Sequence, residues 1–201
     1  DTAGFSRALD WGLRITLLIA GPAMFALLLL AGPLVATLFQ HGHWTAHDTH
    51  MATLSITALS FGLPAFALVK VLLPAFYSRQ DTRTPVRAAV ASLLTNMVLN
   101  VVFLLLLFQW WAPPALKQLP LLDGLARLPG LHMALGMASA VAAYVNLWLL
   151  WHWLKRAGVY RRQPGWARHL LRLAVACAAM VAVLLLGRWV WPDWTVGVSV
   201  V

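Results

Sequence analysis

KVLLPAFYSRQDTRTPV, residues 70–86, closes one apolar run, passes through a short basic turn and opens a second apolar run. The first run reaches back to residue 52 and the second continues to residue 108. A helix needs roughly 20 mostly apolar residues to cross the hydrocarbon core of a bilayer. The stretch therefore reads as the hairpin between two membrane spans, 52–77 and 86–108. Three further runs of that size lie at 13–39, 131–154 and 169–191. None alternates with the period of two that a barrel strand shows, and backbone groups in lipid must be paired within their own segment. The expected fold is thus all-α, a polytopic membrane helix bundle of five transmembrane helices. Short links make neighbouring spans antiparallel.

Composition agrees. Of 201 residues 61% are hydrophobic and 10% charged, against about a quarter charged in a soluble domain. A soluble core of this length could not hide that much apolar surface. A net charge of +9 can mark a nucleic-acid binder, but here the basic residues sit in clusters between apolar runs, which is a topology signal, so no nucleic-acid partner is expected. Lone Cys177 builds neither a disulfide nor a CxxC site. With no initiator Met and no signal peptide, the chain is expected to be part of a longer polypeptide.

Lys and Arg also give orientation. One side holds Arg7, Arg14, Arg79, Arg83, Arg87, Lys155, Arg156, Arg161, Arg162, Arg168 and Arg172; the other holds Lys117, Arg127 and Arg188. This bias puts the chain start and the loops 78–86 and 155–168 in the cytoplasm, and the loops 41–50 and 111–130 outside. Trp44, Trp110, Trp111, Trp151, Trp153, Trp166, Trp189, Trp191 and Trp194 fall near span ends, where they read as headgroup anchors.

Polar residues within the spans fall into stripes. Thr53, Thr57 and Ser60 share a face of the second span; Ser92, Asn96 and Asn100, with Thr95 beside them, share a face of the third; His132, Ser139 and Asn146 recur every seven residues in the fourth. Two readings stand open: interhelical hydrogen bonding in a packed bundle, or the lining of a hydrated cavity. Gly136, Ala140 and Ala143 leave room for close helix approach. Lys70 is ionisable within a span, the usual mark of a functional site. It lies on the order of 12 Å from the Arg79 end, so its stem could instead reach the headgroups. Gly62, Pro64 and Pro74 lead to an expected bend in the second span.

Other chemistry is thinly represented. His41, His43, His47 and His50 with Asp48 offer metal donors without the spacing of a defined zinc motif, so no metal or cofactor is expected. The chain has six Asp and no Glu, read as scattered one per loop or terminus, and nothing resembles a nucleophile with its base or a phosphate-binding Gly-rich loop. In the 78–86 turn Thr84 or Asp81 is expected to cap the next helix, with Pro85 in its first turn. Arg79, Arg83 and Arg87 either serve the positive-inside rule alone or attract a phosphate-bearing headgroup.

Residues 38–44 (LFQHGHW), 70–86 and 162–166 (RQPGW) together resemble successive signatures of the MurJ/MviN lipid II flippase family, in order and at matching separations. The resemblance implies a fourteen-helix transporter of the superfamily that includes multidrug and polysaccharide exporters, built as two six-helix lobes plus two extra C-terminal helices. These five spans would be the ninth to thirteenth: residues 1–154 part of the second lobe, 155–168 a basic cytoplasmic loop, and 169–201 the first extra helix with its outer loop. It also implies alternating access in the bacterial inner membrane. Lipid-linked precursor, lipid II, would pass from inner to outer leaflet, with its headgroup in a basic cavity and its tail in a groove near the extra helices. The partners implied are lipid II, membrane lipids and the N-terminal lobe of the same protein.

By that resemblance Lys70, Arg79, Arg83, Arg87, Ser92, Asn96, Asn100 and Asn146 are the candidates for substrate or cavity contact. Asp81 matches an acidic position near a cation held by some relatives, although Leu93 and Met97 stand where coordinating atoms would be wanted. The rivals are an exporter of another lipid-linked polysaccharide or of a drug, a metal-dependent membrane enzyme using the outer histidines, and a passive scaffold.

Overall fold

The computed structural model describes residues 2–39, 43–118, 120, 123–124, 130–158, 160 and 163–190. They form helices α1 (Thr2–Phe39), α2 (Ala46–Ser60), α3 (Leu63–Tyr77), α4 (Arg83–Trp111), α5 (Pro114–Lys117), α6 (Leu131–Arg156) and α7 (Trp166–Val190), with no strand among the described residues. Four of these are long and apolar enough to cross a membrane by themselves. The expected second span is instead two helices, α2 and α3, bent by 45° across a break at Phe61 and Gly62. Proline accounts for the position of the break: Pro64 stands at the start of α3, where its missing amide costs nothing. Helix α1 is 38 residues long, about 57 Å at 1.5 Å per residue. It therefore outruns a hydrocarbon core of roughly 30 Å, and its first turns project beyond the membrane.

Helix α6 is the spine. Its buried positions are Ala134, Gly136, Ala138, Ala140, Ala142 and Ala143 along one half, then Leu150 and Leu154 at the other end. The small residues let α2, α3 and α4 all pack against it; in lipid, where apolar side chains gain nothing by leaving solvent, such close contact is what holds helices together. Helix α1 packs on α2 and α3 from the far side and carries α7. At the basic end Leu9, Leu13, Leu72, Ala75, Phe76, Ala88, Leu150, Leu154 and Tyr160 form one buried cluster. That cluster gathers the α1 start, the α3–α4 turn and the α6 end, so Arg7, Arg14, Arg79, Arg83, Arg87, Lys155 and Arg156 all belong to one end of the bundle. Helices α3 and α4, consecutive in sequence, barely touch. The gap between them matters below. Helices α4 and α7 leave most of their apolar surface bare.

Candidate functional site

The gap between α3 and α4, floored by α6, is a groove of about 630 Å³. Lys70 enters it from α3, Ser92 and Asn96 from α4, and Ser139 and Asn146 from α6, among Phe66, Val69, Leu73 and Leu93. Four of the eight sequence candidates thus meet in one concavity. Both readings of the polar stripes hold here together. Ser92 donates its hydroxyl to the Ala142 carbonyl at 2.7 Å, and Ser139 to the Asn96 side-chain oxygen at 3.5 Å, which tie α4 to α6. The Asn146 Oδ1, buried and lining the groove, has no hydrogen-bond partner, nor has the buried Asn100 Oδ1, which lies outside it. An orphaned buried acceptor costs about 1–3 kcal/mol. Asn146 therefore favours a donor arriving through the groove.

In span two the stripe behaves differently. Thr53 and Ser60 donate to the Thr49 and Ile56 carbonyls of their own helix, an arrangement that satisfies a hydroxyl in an apolar setting without a partner helix.

The remaining basic candidates stand apart from the groove. Arg79 and Arg87 share a smaller concavity of about 290 Å³ with Phe76, Asp81, Thr84, Trp153 and Ala157, at the basic end. Arg83 is exposed at the start of α4 and lines neither space. Asp81 accepts the Thr84 amide at 3.0 Å. Hydrogen bonds from the Thr84 side chain and backbone, with Arg79 nearby, hold its carboxyl below the usual range. Asp81 is the cap of α4, and Pro85 is buried in the first turn.

Two polar devices went unseen in the sequence. At the α2–α3 break the Phe61 carbonyl accepts the Tyr144 hydroxyl of α6 at 2.9 Å, so a side chain from the spine fastens the bend. Removing it (Tyr144→Phe) is expected to lower stability by about 1 kcal/mol, a typical net hydrogen bond. Thermal unfolding of the full-length protein in detergent measures this, and an unchanged midpoint would show that the bend does not need the hydroxyl.

The second device is larger. Asp10, read from the sequence as one of several scattered terminal or loop carboxylates, is a buried residue of α1 at 3% exposure. The Tyr160 hydroxyl and the Trp166 Nε1 each donate to its Oδ1 at 2.6 Å, and Arg14 pairs with its Oδ2 at 2.7 Å. Arg14 also donates to the Pro164 carbonyl at 2.9 Å and lies over the Trp166 ring. Burial and the bond to Asp10 push the Tyr160 phenol well above its ordinary range. Gly165, at φ +91, makes the left-handed turn that places Trp166 at the first position of α7. The 162–166 phrase is thereby explained within the described residues: its Pro, Gly and Trp form one half of a clasp between α7 and α1. Trp166 is thus no simple headgroup anchor. Its ring also walls an apolar groove of about 470 Å³ with Leu13, Leu17, Leu68, Leu147, Trp148 and Trp151. Trp110, Trp111 and Trp189 remain highly exposed at helix ends.

Of the outer histidines, His41 lies outside the described residues, and His43, His47 and His50 are exposed. Asp48 is taken up in a capping box with Thr45. No group of three or more metal-binding side chains occurs among the described residues.

A membrane bundle with a broken span, a polar groove between consecutive helices and an ionisable residue in that groove has the build of a transporter lobe. The family model described as "Lipid II flippase MurJ" matches residues 1–112. A protein named "Probable lipid II flippase MurJ" from Vibrio cholerae is 35% identical over 182 residues, which is 90% of this chain and 30% of that protein. "Lipid II flippase MurJ" from Burkholderia cenocepacia is 34% identical over 195 residues, 97% of this chain and 33% of that one. The solved structure "Lipid II flippase MurJ, inward closed conformation" superposes with a TM-score of 0.71 at 20% identity, over 98% of this chain and 37% of that chain, and so shares the fold. The chain belongs to the MurJ lipid II flippase family. It spans about a third of the length of the curated relatives it matches.

Proposed function

We propose that the full-length protein flips lipid II across the bacterial inner membrane by alternating access, and that this chain supplies part of the wall of its cavity. The observation that carries the reading is the groove of Lys70, Ser92, Asn96, Ser139 and Asn146 in an otherwise apolar bundle. Lys70 offers a cation to phosphate or carboxylate, and the free Asn146 oxygen offers an acceptor to a sugar hydroxyl or a peptide amide. A cargo with diphosphate, sugars and a peptide presents all of these groups. The apolar groove beside Trp166 suits its hydrocarbon tail.

In this reading residues 1–154 belong to the second of two lobes in a fourteen-helix protein, with the N-terminal lobe as their partner. Residues 155–168 form a cytoplasmic loop, and 169–201 the first of two extra helices with its outer loop. The excess of Lys and Arg supports a cytoplasmic basic end. Asn100, off the groove, serves packing against the rest of the protein.

The complete gene should restore growth to cells depleted of their own lipid II flippase. Lys70→Leu with Asn146→Leu should cut flipping at least about tenfold, the equivalent of one hydrogen bond to a charged group. Failure of the unaltered gene to rescue would remove the assignment, and full flipping by the double variant would remove the groove from the cargo route.

A further inference from the structure

We infer that the concavity of Arg79, Arg87, Thr84 and Trp153 is a binding site for the phosphate headgroup of an anionic glycerophospholipid, separate from the groove assigned to cargo. The two spaces share no lining residue. Neither guanidinium is ion-paired or hydrogen-bonded among the described residues, and Asp81, the carboxylate between them, is turned to the Thr84 amide. Arg83 stands one helical turn before Arg87, and Lys155 and Arg156 follow Trp153 at the end of α6, so the surroundings are positive as well. Guanidinium forks match phosphate oxygens in geometry and charge, and basic pockets between spans at a membrane face take anionic headgroups.

The occupant is a lipid because of what borders the pocket. Phe76 is buried at its base and the half-buried Trp153 forms a wall, the amphipathic ring that suits the headgroup layer. Val86 and Val90, to either side of Arg87 on α4, are 60% and 50% exposed. A molecule held by its phosphate at Arg79 and Arg87 can therefore lay its acyl chains along the bare side of α4. A small soluble phosphate would leave that apolar surface unused.

The test is titration of the delipidated full-length protein in detergent with phosphatidylglycerol, counting bound lipids by native mass spectrometry. Phosphatidylcholine is the zwitterionic control and inorganic pyrophosphate the soluble one. Arg79→Gln with Arg87→Gln should weaken phosphatidylglycerol binding by about tenfold or more, since each basic residue near an anionic surface contributes roughly 1 kcal/mol. Arg79→Lys with Arg87→Lys should retain most of it, and Arg188→Gln, at the other end of the bundle, should leave it unchanged. Equal binding of phosphatidylcholine, or wild-type phosphatidylglycerol binding by the Gln pair, overturns the site. Complete displacement by pyrophosphate, or one-for-one displacement by an undecaprenyl diphosphate, overturns the phospholipid as occupant and returns the pocket to a free anion or to cargo. Growth rescue by the Gln pair bears on none of these readings, so the cargo assignment stands or falls separately.

Discussion

Asp10→Ala is expected to lower the unfolding free energy of the full-length protein by about 3–5 kcal/mol, the usual result of removing one partner from a buried charge pair. The loss is large because three groups have arranged themselves around that carboxylate. Without it the Tyr160 hydroxyl, the Trp166 indole and the Arg14 guanidinium each lose their acceptor in a buried setting. Asp10→Asn keeps one acceptor oxygen and should fall between. Tyr160→Phe should cost about 1.5–3 kcal/mol, as for a hydrogen bond to a charged group. Because all act on one network, Asp10→Ala with Tyr160→Phe should cost much less than the two single losses combined. Thermal or denaturant unfolding of the four proteins measures this, and simple additivity would show that the clasp is not a unit. A local consequence should accompany it. Helix α7 meets the bundle through α1, with Leu173 set against Gly21 as its other close contact, so α7 should exchange amide hydrogens faster once the clasp is broken.

The second large effect is expected at the bend. A Cβ on Gly62 would stand 2.9 Å from the Ala140 Cα and 2.7 Å from a Phe66 ring carbon. The ring can turn aside, but the α6 backbone cannot without parting α6 from the α2–α3 pair. Gly62→Ala should therefore cost about 1–3 kcal/mol as an overpacked contact, and Gly62→Leu should abolish stable accumulation in the membrane. Gly136 makes the same approach from the other side, where an added Cβ would meet the Ala58 Cβ at 3.0 Å. Ala140→Gly removes one of the clashing atoms and should recover part of the Gly62→Ala loss. Absence of any recovery would place the strain in the bend itself.

The five membrane segments were legible because lipid imposes a length and a composition that nothing else in a chain of 201 residues imitates. The convergence of Lys70, Ser92, Asn96 and Asn146 was only half legible. Periodicity placed each stripe on a face of its own helix, but the angle between helices decides which faces meet. Asn100 shares the face of Asn96 and still falls outside the groove, one turn too far along α4. The Asp10 clasp was hidden for another reason: its partners lie 150 and 156 residues away, and Trp166 near the end of a span carries the same signal as any headgroup anchor. A single helical turn of Asp10 and Arg14 at i, i+4 was the one local sign, and it is common on exposed helices. Tyr144 was overlooked because its hydroxyl answers a backbone break whose exact place, between Ser60 and Leu63, follows from tertiary packing as much as from Pro64.

The whole account depends on the face shared by Lys70, Asn96 and Asn146 being wet in the assembled protein. The direct measurement is cysteine accessibility in native membranes, using the full-length protein with Cys177→Ala and one new cysteine at a time at Lys70, Asn96, Asn146, Val98 or Leu105. A membrane-impermeant thiol reagent should label the first three and spare Val98 and Leu105, which sit on the bare side of α4. Protection of Lys70, Asn96 and Asn146 to the same degree as Val98 would contradict it.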